Sequence, residues 1–558
     1  MTDTEIARRF RQIGDILEIG GENPFKIKAY RSACETIEAL EDNLADIDAR
    51  GELSNLPGFG TAIVAKTRDF LETGTCDLWE RIQNDVPPGV ILMAGIRGIG
   101  PKTAALVWKE LDITTVDALE TASADGRLQG LTGFAAAKER KVLESIHVWR
   151  RMASRVPLWK VVPFAARVTR VLLATRSIHA VTLTGEARRG MATVATVTFS
   201  IVAPELAGAI HAISTQGWFA ENNHEVTSGN EVTGIIDEMR VIFHITQTCT
   251  GNLMLSETGP PAFVSWVTAR LPSGLDHPYP DEATLFTAAG LHFVDPEIRD
   301  HAADAERVGL GELKLVTLAD LTAQLHEHTT WSDGRNSIRE MADEAIRRGW
   351  NVLGITDHSA SLTIARGLST QRHLEQLAEL TPLQTEYADQ NFNLLAGLEA
   401  DILQDGSLDC DAEILDQLHY VVASIHMRYK ETAEAMTNRM CLAISHPKTR
   451  VLGHPTGRLL GRREGYAVDL HVVIDAAITH NVALEINAGP ERMDLDDTWV
   501  RVAANKGAKF SINADAHSIS HFDWLPYGLS MARRAGLMKE QVVNCWDAGK
   551  LVAWLLRI

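Results

Sequence analysis

The sequence predicts a multidomain protein of the α and α/β classes, with a helical first third, a mixed middle and a barrel-like last third. At 558 residues the chain is long enough for several separate cores. Residues 1–154 show helical apolar spacing that is interrupted by Gly-x-Gly turns. From residue 316 onwards apolar strands alternate with helices, and most of these strands end in His, Asp or Glu. This alternation is typical of a parallel sheet or barrel whose functional groups gather at the strand ends.

The composition limits which cellular compartments and which binding partners the protein can have. No apolar run approaches the ~20 residues that a membrane span needs, and the polar start of the chain lacks a secretory signal. The six cysteines are scattered without a Cys-x-x-Cys pair, which suits a reducing compartment. The net charge of −19 argues against broad adhesion to DNA but leaves local contacts to its backbone open. We expect a cytoplasmic monomer that does not bind membranes.

The first third carries two matching Gly-x-Gly turns, each followed at once by a helix. One is Gly58-Phe-Gly60 and the other is Gly98-Ile-Gly100, which is followed by Pro101 and Lys102; a looser third copy spans residues 128–134. Amides at a helix N-terminus can bind a phosphate without a side-chain charge. A single such turn could merely close a helical hairpin, but two copies resemble helix-hairpin-helix modules. This resemblance implies sequence-independent binding of the DNA backbone through Gly58, Gly60, Gly98, Gly100 and Lys102.

These turns resemble helix-hairpin-helix modules. Preceded by Asn-Pro-Phe-Lys-Ile-Lys-Ala-Tyr-Arg at residues 23–31, they resemble the start of a family X DNA polymerase. The resemblance implies a DNA-binding domain at 1–85 and a fingers-like domain at 86–154. In DNA polymerase beta and its relatives the first domain removes 5′-deoxyribose phosphate through a lysine Schiff base, and Lys66 matches that lysine by motif. Ala62 replaces another lysine common there, so Lys66 is either a lyase residue or an ordinary residue on a helix surface.

The middle third shows the motifs of this polymerase family in the expected order but lacks carboxylates at its two magnesium-binding positions. Strands are predicted at 180–184 and 193–203, and the turn Gly-Glu-Ala-Arg-Arg-Gly at 185–190 resembles the family's triphosphate-binding turn with Glu186 in place of serine. Thr196 and Thr198 stand where the family has two magnesium-binding aspartates, and hydroxyl groups supply none of the charge that Mg²⁺ needs. Candidates for the third carboxylate are Asp237 and Glu238. The resemblance implies a nucleotidyltransferase-like palm at 155–310 without polymerase activity; an unrelated α/β domain is the alternative.

The last third presents a series of ligand-type side chains at or just beyond strand ends. A His-x-His pair alone also fits a surface loop, and His419, His446, His471, His480 and His521 suit structural roles. Nine residues in this arrangement instead predict a metal centre: His326, His328, Asp333, His358, Glu399, His426, His454, Asp515 and His517.

The series resembles the polymerase and histidinol phosphatase (PHP) domain, a distorted (β/α)7 barrel, here at 316–558. The resemblance rests on Gly-His-Pro-Thr-Gly-Arg at 453–458, Glu-Ile-Asn-Ala at 485–488 and Asp-Ala-His-Ser at 515–518. It implies three divalent ions. The first would be held by His326, His328, Glu399 and Asp515, the second by Glu399, His426 and His454, and the third by Asp333, His358 and His517.

Mixed imidazole and carboxylate ligands suit Mn²⁺ or Zn²⁺, with iron as a further candidate. We expect Glu399, Asp515, His328 and Arg492 to be catalytic, and Arg492 or Arg458 to clamp a phosphate unless each is an ordinary ion-pair partner. The resemblance implies a 3′–5′ exonuclease or 3′-end-processing enzyme, with abasic-site endonuclease activity in some members. Two alternatives remain: a phosphomonoesterase of the histidinol-phosphatase type, and a non-catalytic DNA-binding scaffold with residual lyase activity.

Overall fold

The computed structural model describes residues 3–38, 44–96, 98–219, 224–227, 229–237, 239–248 and 251–557. The chain divides into two compact units, Met1–Ser154 and Arg155–Ile558. No helix within these described ranges is long and apolar enough to cross a membrane.

The first unit is helical, as predicted. Its helices are α1 (Asp3–Ile19), α2 (Pro24–Glu38), α3 (Leu44–Ala49), α4 (Thr61–Thr73), α5 (Asp77–Ile82), α6 (Pro88–Ala94), α7 (Pro101–Leu111), α8 (Val116–Ala124) and α9 (Ala136–Ala153). Their apolar faces share one core, to which Phe10, Phe70 and Ile99 contribute fully buried side chains. The Gly-x-Gly turns connect helices at the surface of this core.

The middle region is built on a five-stranded mixed sheet. Its elements are β1 (Val156–Pro157), α10 (Leu158–Leu173), β2 (Ala180–Thr184), α11 (Gly185–Arg188), β3 (Thr193–Val194), β4 (Val197–Val202), α12 (Leu206–Ser214), β5 (His224–Thr227), β6 (Glu231–Ile236), β7 (Met239–Thr246), α13 (Gly251–Thr258), α14 (Pro261–Thr268), α15 (Glu282–Ala288) and α16 (Ala302–Gly309). The strand order is β2-β4-β7-β6-β5. The single strand predicted at 193–203 is two strands, because the Ala195 amide donates to Glu186 Oε2 at 2.7 Å instead of joining the ladder.

The last third alternates strands with helices. Its elements are β8 (Ala323–Gln324), α17 (Ile338–Arg347), β9 (Val352–Ile355), α18 (Thr370–Ala388), β10 (Asn393–Ala396), β11 (Glu399–Asp401), α19 (Ala412–Gln417), β12 (Val421–Ser424), α20 (Ala433–Ser445), β13 (Thr449–Leu452), α21 (Leu470–His480), β14 (Ala483–Asn487), α22 (Asp497–Asn505), β15 (Lys509–Asn513), α23 (Leu525–Arg534) and α24 (Ala548–Leu556). Residues 316–557 are described without a gap.

Across 316–557 these strands form the predicted seven-fold barrel. Two parallel sheets, β10-β9-β8 and β11-β12-β13-β14-β15, share a long third strand, because only Gly397 and Leu398 separate β10 from β11. The circle closes where Glu327 bridges Ala516 in parallel and the His328 amide donates to the Ala516 carbonyl at 2.8 Å. All strand C-termini therefore face the same end of the barrel.

The opposite end of the barrel is filled by apolar side chains. Leu325, Tyr420 and Val451 pack in the interior with Trp554 and Leu555 of α24. The Tyr420 hydroxyl donates to the Leu325 carbonyl at 2.7 Å, so its one polar group is satisfied. This dry plug leaves the C-terminal end of the strands as the place for polar chemistry.

The middle region and the barrel meet at α23. Asp300 accepts from both Arg189 and Arg534, at 3.0 and 2.8 Å, and the Ser530 hydroxyl donates to the Gly190 carbonyl at 2.9 Å. Gly190 has a φ of +67°, and a Cβ there would lie 1.8 Å from the Ser530 Oγ. The turn that resembles a triphosphate site thus serves as a packed joint against the barrel.

Candidate metal centre and associated sites

Glu399 is the central ligand-type residue of the barrel mouth. It lies in β11, the second part of the shared third strand, and is 1% exposed. Its Oε1 lies 3.1 Å from His454 Nε2, 3.2 Å from His326 Nε2 and 3.3 Å from His426 Nε2. Its Oε2 lies 2.7 Å from His358 Nδ1. Imidazoles delivered by four different strands therefore converge on one carboxylate.

Two aspartates complete the cluster on the side where the barrel closes. Asp515 Oδ1 lies 3.1 Å from His328 Nε2. Asp333 Oδ1 lies 3.5 Å from His358 Nε2 and 3.4 Å from His517 Nε2. The structure thus brings together all nine side chains that the sequence singled out as ligands.

The donor atoms fit bound cations. Three overlapping groups are compact enough to hold an ion: His328, Asp333, His358 and His517; His326, His328 and Asp515; and His358, Glu399 and His426. Several buried polar atoms in these groups have close neighbours but no hydrogen bond of acceptable geometry, including His326 Nε2, both ring nitrogens of His328, and Glu399 Oε2. Leaving such atoms unpaired costs about 1–3 kcal/mol each, and divalent ions would satisfy them.

A second layer of carboxylates orients the imidazoles. Glu485 Oε1 lies 2.7 Å from His326 Nδ1, and Asp401 Oδ1 lies 2.7 Å from His426 Nδ1. A carboxylate at Nδ1 holds the proton there, so Nε2 keeps its lone pair free for a metal. Both Nε2 atoms face Glu399, which is the arrangement a ligand requires.

Residues near the ligands fix the loops that carry them, and sequence reasoning missed three of these. Asp357 accepts from the backbone amides of Thr329 and Ser332, and Asp494 accepts from the amides of Thr456 and Gly457. The third is Asp401. Asp357 precedes a ligand directly and Asp401 lies two residues after one, so proximity to a ligand was the available signal. Asp494 offered none, because it lies far from its loop in sequence.

Two ligands occupy strained backbone. His454 and Asp515 have φ values of +22° and +52°. Non-glycine residues in this region cost of order 1–3 kcal/mol and cluster at functional sites. The His454 amide donates to Glu485 Oε2 at 2.7 Å, and Asn487 Nδ2 donates to Asp515 Oδ2 at 3.0 Å. Two residues of strand β14 therefore hold the strained candidate ligands: Glu485 holds His454, and Asn487 holds Asp515.

Burial and charge shift the pKa values of the cluster in opposite directions. Burial and the neighbouring His358 and His517 lower the pKa of His328 to about 4. Burial also acts to lower the pKa values of His426 and His517, but the adjacent carboxylates raise both to about 9. Burial would raise the pKa of Glu399, yet the surrounding imidazoles hold it well below its usual value. At neutral pH the cluster thus has an ionised central carboxylate that attracts cations.

The two candidate phosphate clamps differ in their partners. Arg458 donates to the backbone carbonyls of Arg492 and Met493 and pairs with Asp496 at 3.3 Å, so it holds a loop together. Arg492 is 24% exposed on its side chain, and its Nε lies 3.7 Å from Asp515 Oδ2. Of the two, Arg492 is the guanidinium that faces the cluster.

In the middle region the positions of the polymerase ligands carry no carboxylate pair. Strand β4 places Thr198 beside Ile242 of β7. Asp237 lies instead in the turn between β6 and β7, where it pairs with Arg167, and Glu238 lies outside the described residues. The Glu186 carboxylate pairs with Arg155 at 2.9 Å. The turn that resembles a triphosphate site therefore already contains a negatively charged side chain.

The three hairpin turns of the first unit share one geometry. The amides of Phe59, Ile99 and Phe134 donate to the carbonyls three residues earlier. The intervening Gly58, Gly98 and Gly133 have φ values of +77°, +89° and +83°. Gly60 and Gly100 are the N-caps of α4 and α7, and Lys102 is exposed in the first turn of α7. Each turn therefore ends at the exposed N-terminus of a helix, and the looser third copy has the same form.

The candidate lyase residues show few signs of an activated amine. Lys66 is part-exposed, and its Nζ lies 3.3 Å from the Ala62 carbonyl one turn earlier. Lys26 and Arg31 of the 23–31 stretch match positions near the lyase pocket of the similar polymerases, and both are paired: Lys26 with Glu22, and Arg31 with Asp15 and Glu18. Lyase activity stays a prediction.

Three parts of the chain match known domain families. Residues 1–76 match the helix-hairpin-helix domain family, 90–147 match the SAM-like helix-hairpin-helix tandem, and 324–489 match the PHP domain. The DNA polymerase/3′-5′ exonuclease PolX of Bacillus subtilis (strain 168) is 29% identical over 577 aligned residues, which cover 100% of both chains. The chain therefore matches helix-hairpin-helix and PHP domain models, and over its whole length it is similar to a bacterial DNA polymerase/3′-5′ exonuclease.

The barrel region is also similar to shorter proteins. A probable phosphatase of Thermoanaerobacter sp. (strain X514) is 26% identical over 246 residues, 42% of this chain and 94% of its own length. A probable phosphatase of Clostridium acetobutylicum is 28% identical over 244 residues, 41% of this chain and 93% of its own length. In those relatives a chain of barrel length makes up nearly the whole protein.

Proposed function

We propose that this protein is a metal-dependent phosphoesterase that processes DNA 3′ ends as a 3′–5′ exonuclease, with abasic-site cleavage as a related activity. The observation that carries the proposal is the convergence of nine imidazole and carboxylate side chains, several with unpaired buried atoms, at the open end of the barrel. The Bacillus subtilis relative is named for polymerase and 3′–5′ exonuclease activities.

The ligand residues have distinct roles in this proposal. Glu399 would bridge two of three ions, with His326, His328 and Asp515 on the first and His426 and His454 on the second. Asp333, His358 and His517 would hold the third. Bound divalent ions, Mn²⁺ or Zn²⁺ with iron as a further candidate, would supply activated water and positive charge at the phosphate.

The remaining groups position the substrate. Arg492 would pair with a non-bridging oxygen of the scissile phosphate, since a guanidinium matches phosphate geometry. Its charge also offsets the negative charge that Asp515 places beside the phosphate. In the first unit Gly58, Gly60, Gly98, Gly100 and Lys102 would hold the DNA backbone without reading its sequence.

We place this activity in a cytoplasmic monomer with four domains, at 1–85, 86–154, 155–310 and 316–558. The 155–310 domain is proposed to lack polymerase activity, because Thr196 and Thr198 cannot replace two magnesium-binding carboxylates. Its turn at Glu186 is already neutralised by Arg155. The domain would then act as a structural link to the barrel.

A small-molecule phosphomonoesterase is the second candidate. It is favoured by the probable phosphatases, whose lengths correspond to the barrel alone. A phosphomonoester needs only the metal cluster and Arg492, whereas a DNA end would also contact other parts of the chain. The two candidates therefore differ in what the rest of the protein contributes.

The test offers purified full-length protein with Mn²⁺ two substrates in parallel, a 3′-recessed DNA duplex and p-nitrophenyl phosphate. We expect faster hydrolysis of the DNA, measured as kcat/KM, and loss of both activities in Glu399→Gln. Glu413→Gln removes an exposed carboxylate from α19 and serves as the matched control. Efficient cleavage of the small ester alone would replace the proposal with the second candidate, and hydrolysis that survives in Glu399→Gln would remove the metal mechanism.

A further inference from the structure

Two loops at the barrel mouth carry exposed side chains that the metal cluster does not use. The first loop comprises residues 359–367 and follows the ligand His358. The second comprises residues 427–432 and follows the ligand His426. From these loops we infer a binding surface for the DNA strand that leads into the metal cluster, an inference that rests on the proposed function.

The first loop is closed at its base and exposed at its tip. The Leu368 amide donates to the His358 carbonyl at 2.8 Å, and the Ser359 amide donates to the Glu399 carbonyl at 3.0 Å. Ala365 is buried and anchors the tip, whereas Ile364 beside it is 91% exposed. No other large apolar side chain among the described residues is as exposed. An isoleucine held out in water on a closed loop gains free energy if a partner covers it.

The two loops are neighbours because one carboxylate joins their bases. Asp401 Oδ2 accepts from the Ser361 hydroxyl in the first loop at 2.7 Å, and Asp401 Oδ1 lies 2.7 Å from His426 Nδ1 at the start of the second. Asp401 is 2% exposed. Both loops therefore emerge from the edge of the metal cluster on the same side.

The second loop is anchored by an aromatic side chain and exposes the residues on either side of it. Tyr429 stacks on Tyr466 with ring centroids 6.1 Å apart, and Arg463 covers its ring at 4.1 Å. Met427 is 37% exposed, and Arg428 and Lys430 are exposed. The loop thus combines an apolar side chain next to the cluster with two cations further out.

The cations of these loops lack acidic partners. Arg366 in the first loop, and Arg428 and Lys430 in the second, form no ion pair with any residue that the structure describes. By contrast Arg462, on the next loop of the barrel, pairs with Glu491 at 3.0 Å. In a chain of net charge −19, three unpaired cations beside a phosphoesterase site form a local surface for polyanions.

The chemistry of the two loops fits a nucleic-acid strand better than a small ester. A phosphomonoester has one phosphate, which the metal ions and Arg492 would take up. A DNA strand adds further phosphates for Arg366, Arg428 and Lys430, and base faces for Ile364 and Met427. Phosphate contacts place the strand, and apolar contacts with bases do not depend on sequence. The loops would therefore set the preference for DNA over small esters.

The test compares loop variants on two substrates in the full-length protein with Mn²⁺. One variant combines Arg366→Gln, Arg428→Gln and Lys430→Gln. Its matched control combines Arg339→Gln, Arg347→Gln and Lys506→Gln, which are exposed cations on or next to the outer helices α17 and α22. The other is Ile364→Ser, controlled by Val472→Ser, a residue 48% exposed on α21. The substrates are an oligothymidylate of about five nucleotides and p-nitrophenyl phosphate.

We expect the triple variant to lose about 10- to 100-fold in kcat/KM for the oligonucleotide and less than about twofold for the small ester. The slope of log(kcat/KM) against log[KCl] should become shallower by about 2, at about 0.7 for each lost phosphate contact to a single strand. Ile364→Ser should lose about 3- to 10-fold on the oligonucleotide alone. The control variants should match the wild type.

Equal losses on both substrates, or unchanged kinetics with DNA, would overturn the inference while leaving the proposed function in place. If the wild type cleaves neither substrate, the proposed function fails. The loops are then judged by fluorescence anisotropy of the labelled oligonucleotide, where an unchanged Kd in the triple variant would overturn the inference and a raised Kd would support it.

Discussion

Asp401→Asn gives a sharp test of how the second layer of carboxylates supports the metal centre. Asp401 is not one of the nine candidate ligands. Its Oδ1 lies 2.7 Å from His426 Nδ1, and its Oδ2 accepts a hydrogen bond from the Ser361 hydroxyl at 2.7 Å. Asparagine keeps the size and both hydrogen bonds, because its Oδ1 can accept from His426 and its Nδ2 can donate to the Ser361 hydroxyl. The substitution removes only the charge.

The expected magnitude follows from the loss of one buried charge-assisted bond. Outer-layer partners of metal-binding histidines contribute 10- to 100-fold in metal affinity, or about 1.4–2.7 kcal/mol. We therefore expect the Mn²⁺ concentration for half-maximal hydrolysis to rise about 10- to 100-fold. The rate at saturating Mn²⁺ should stay near that of the wild type, because the ligand atom itself is unchanged.

The assay titrates Mn²⁺ against DNA hydrolysis and, independently of activity, measures Mn²⁺ binding by calorimetry. Asp405→Asn is the matched control, because Asp405 accepts from Ser407 in a turn just beyond the same strand and does not contact the cluster. An unchanged Mn²⁺ affinity in Asp401→Asn would refute the orienting role. A loss of rate that saturating Mn²⁺ does not restore would assign Asp401 a direct part in catalysis instead.

Three further predictions concern the other regions and the pH dependence. Primer extension with Mg²⁺ or Mn²⁺ should yield no template-directed incorporation of nucleotides. The double substitution Thr196→Asp and Thr198→Asp should not restore it, because the neighbouring strand β7 adds no carboxylate. Extension by the wild type would contradict this prediction. Gly98→Ala should raise the Kd for DNA, because Gly98 has a φ of +89° and alanine there costs about 1 kcal/mol. Hydrolysis of p-nitrophenyl phosphate should stay unchanged. An unaltered Kd would show that this turn does not bind DNA. In protein treated with a chelator, His426 has a raised pKa of about 9, so its stabilising contribution is complete below about pH 6.5 and is lost as the pH rises towards 9. The free energy of unfolding should therefore fall by up to about 3 kcal/mol across that window, and the melting temperature should fall with it. Mn²⁺-loaded protein should show a smaller fall. Parallel curves of melting temperature against pH would contradict the metal assignment.

The sequence by itself predicted which imidazoles and carboxylates lie together at the barrel mouth. In a parallel barrel the strand C-termini share one end, so His, Asp and Glu at successive strand ends must lie near one another whatever the exact register. The alternation of strands and helices predicted a parallel sheet or barrel, and the resemblance to the PHP domain specified its seven-fold form. Helical apolar spacing predicted the helical first unit. Glycines such as Gly58 and Gly98 marked the hairpin turns, because a positive φ at those positions suits little else.

Only the tertiary structure decided which charged groups act together. Arg458 and Arg492 look alike in sequence, yet one is committed to backbone carbonyls and the other faces Asp515. Likewise the partner of Glu186 is Arg155, 31 residues earlier in the chain. Such pairings depend on how loops fold back on the core, and no local periodicity records that. The exposure of Ile364 and the hydrogen bond that His426 donates to Asp401 also depend on long-range packing around the barrel mouth.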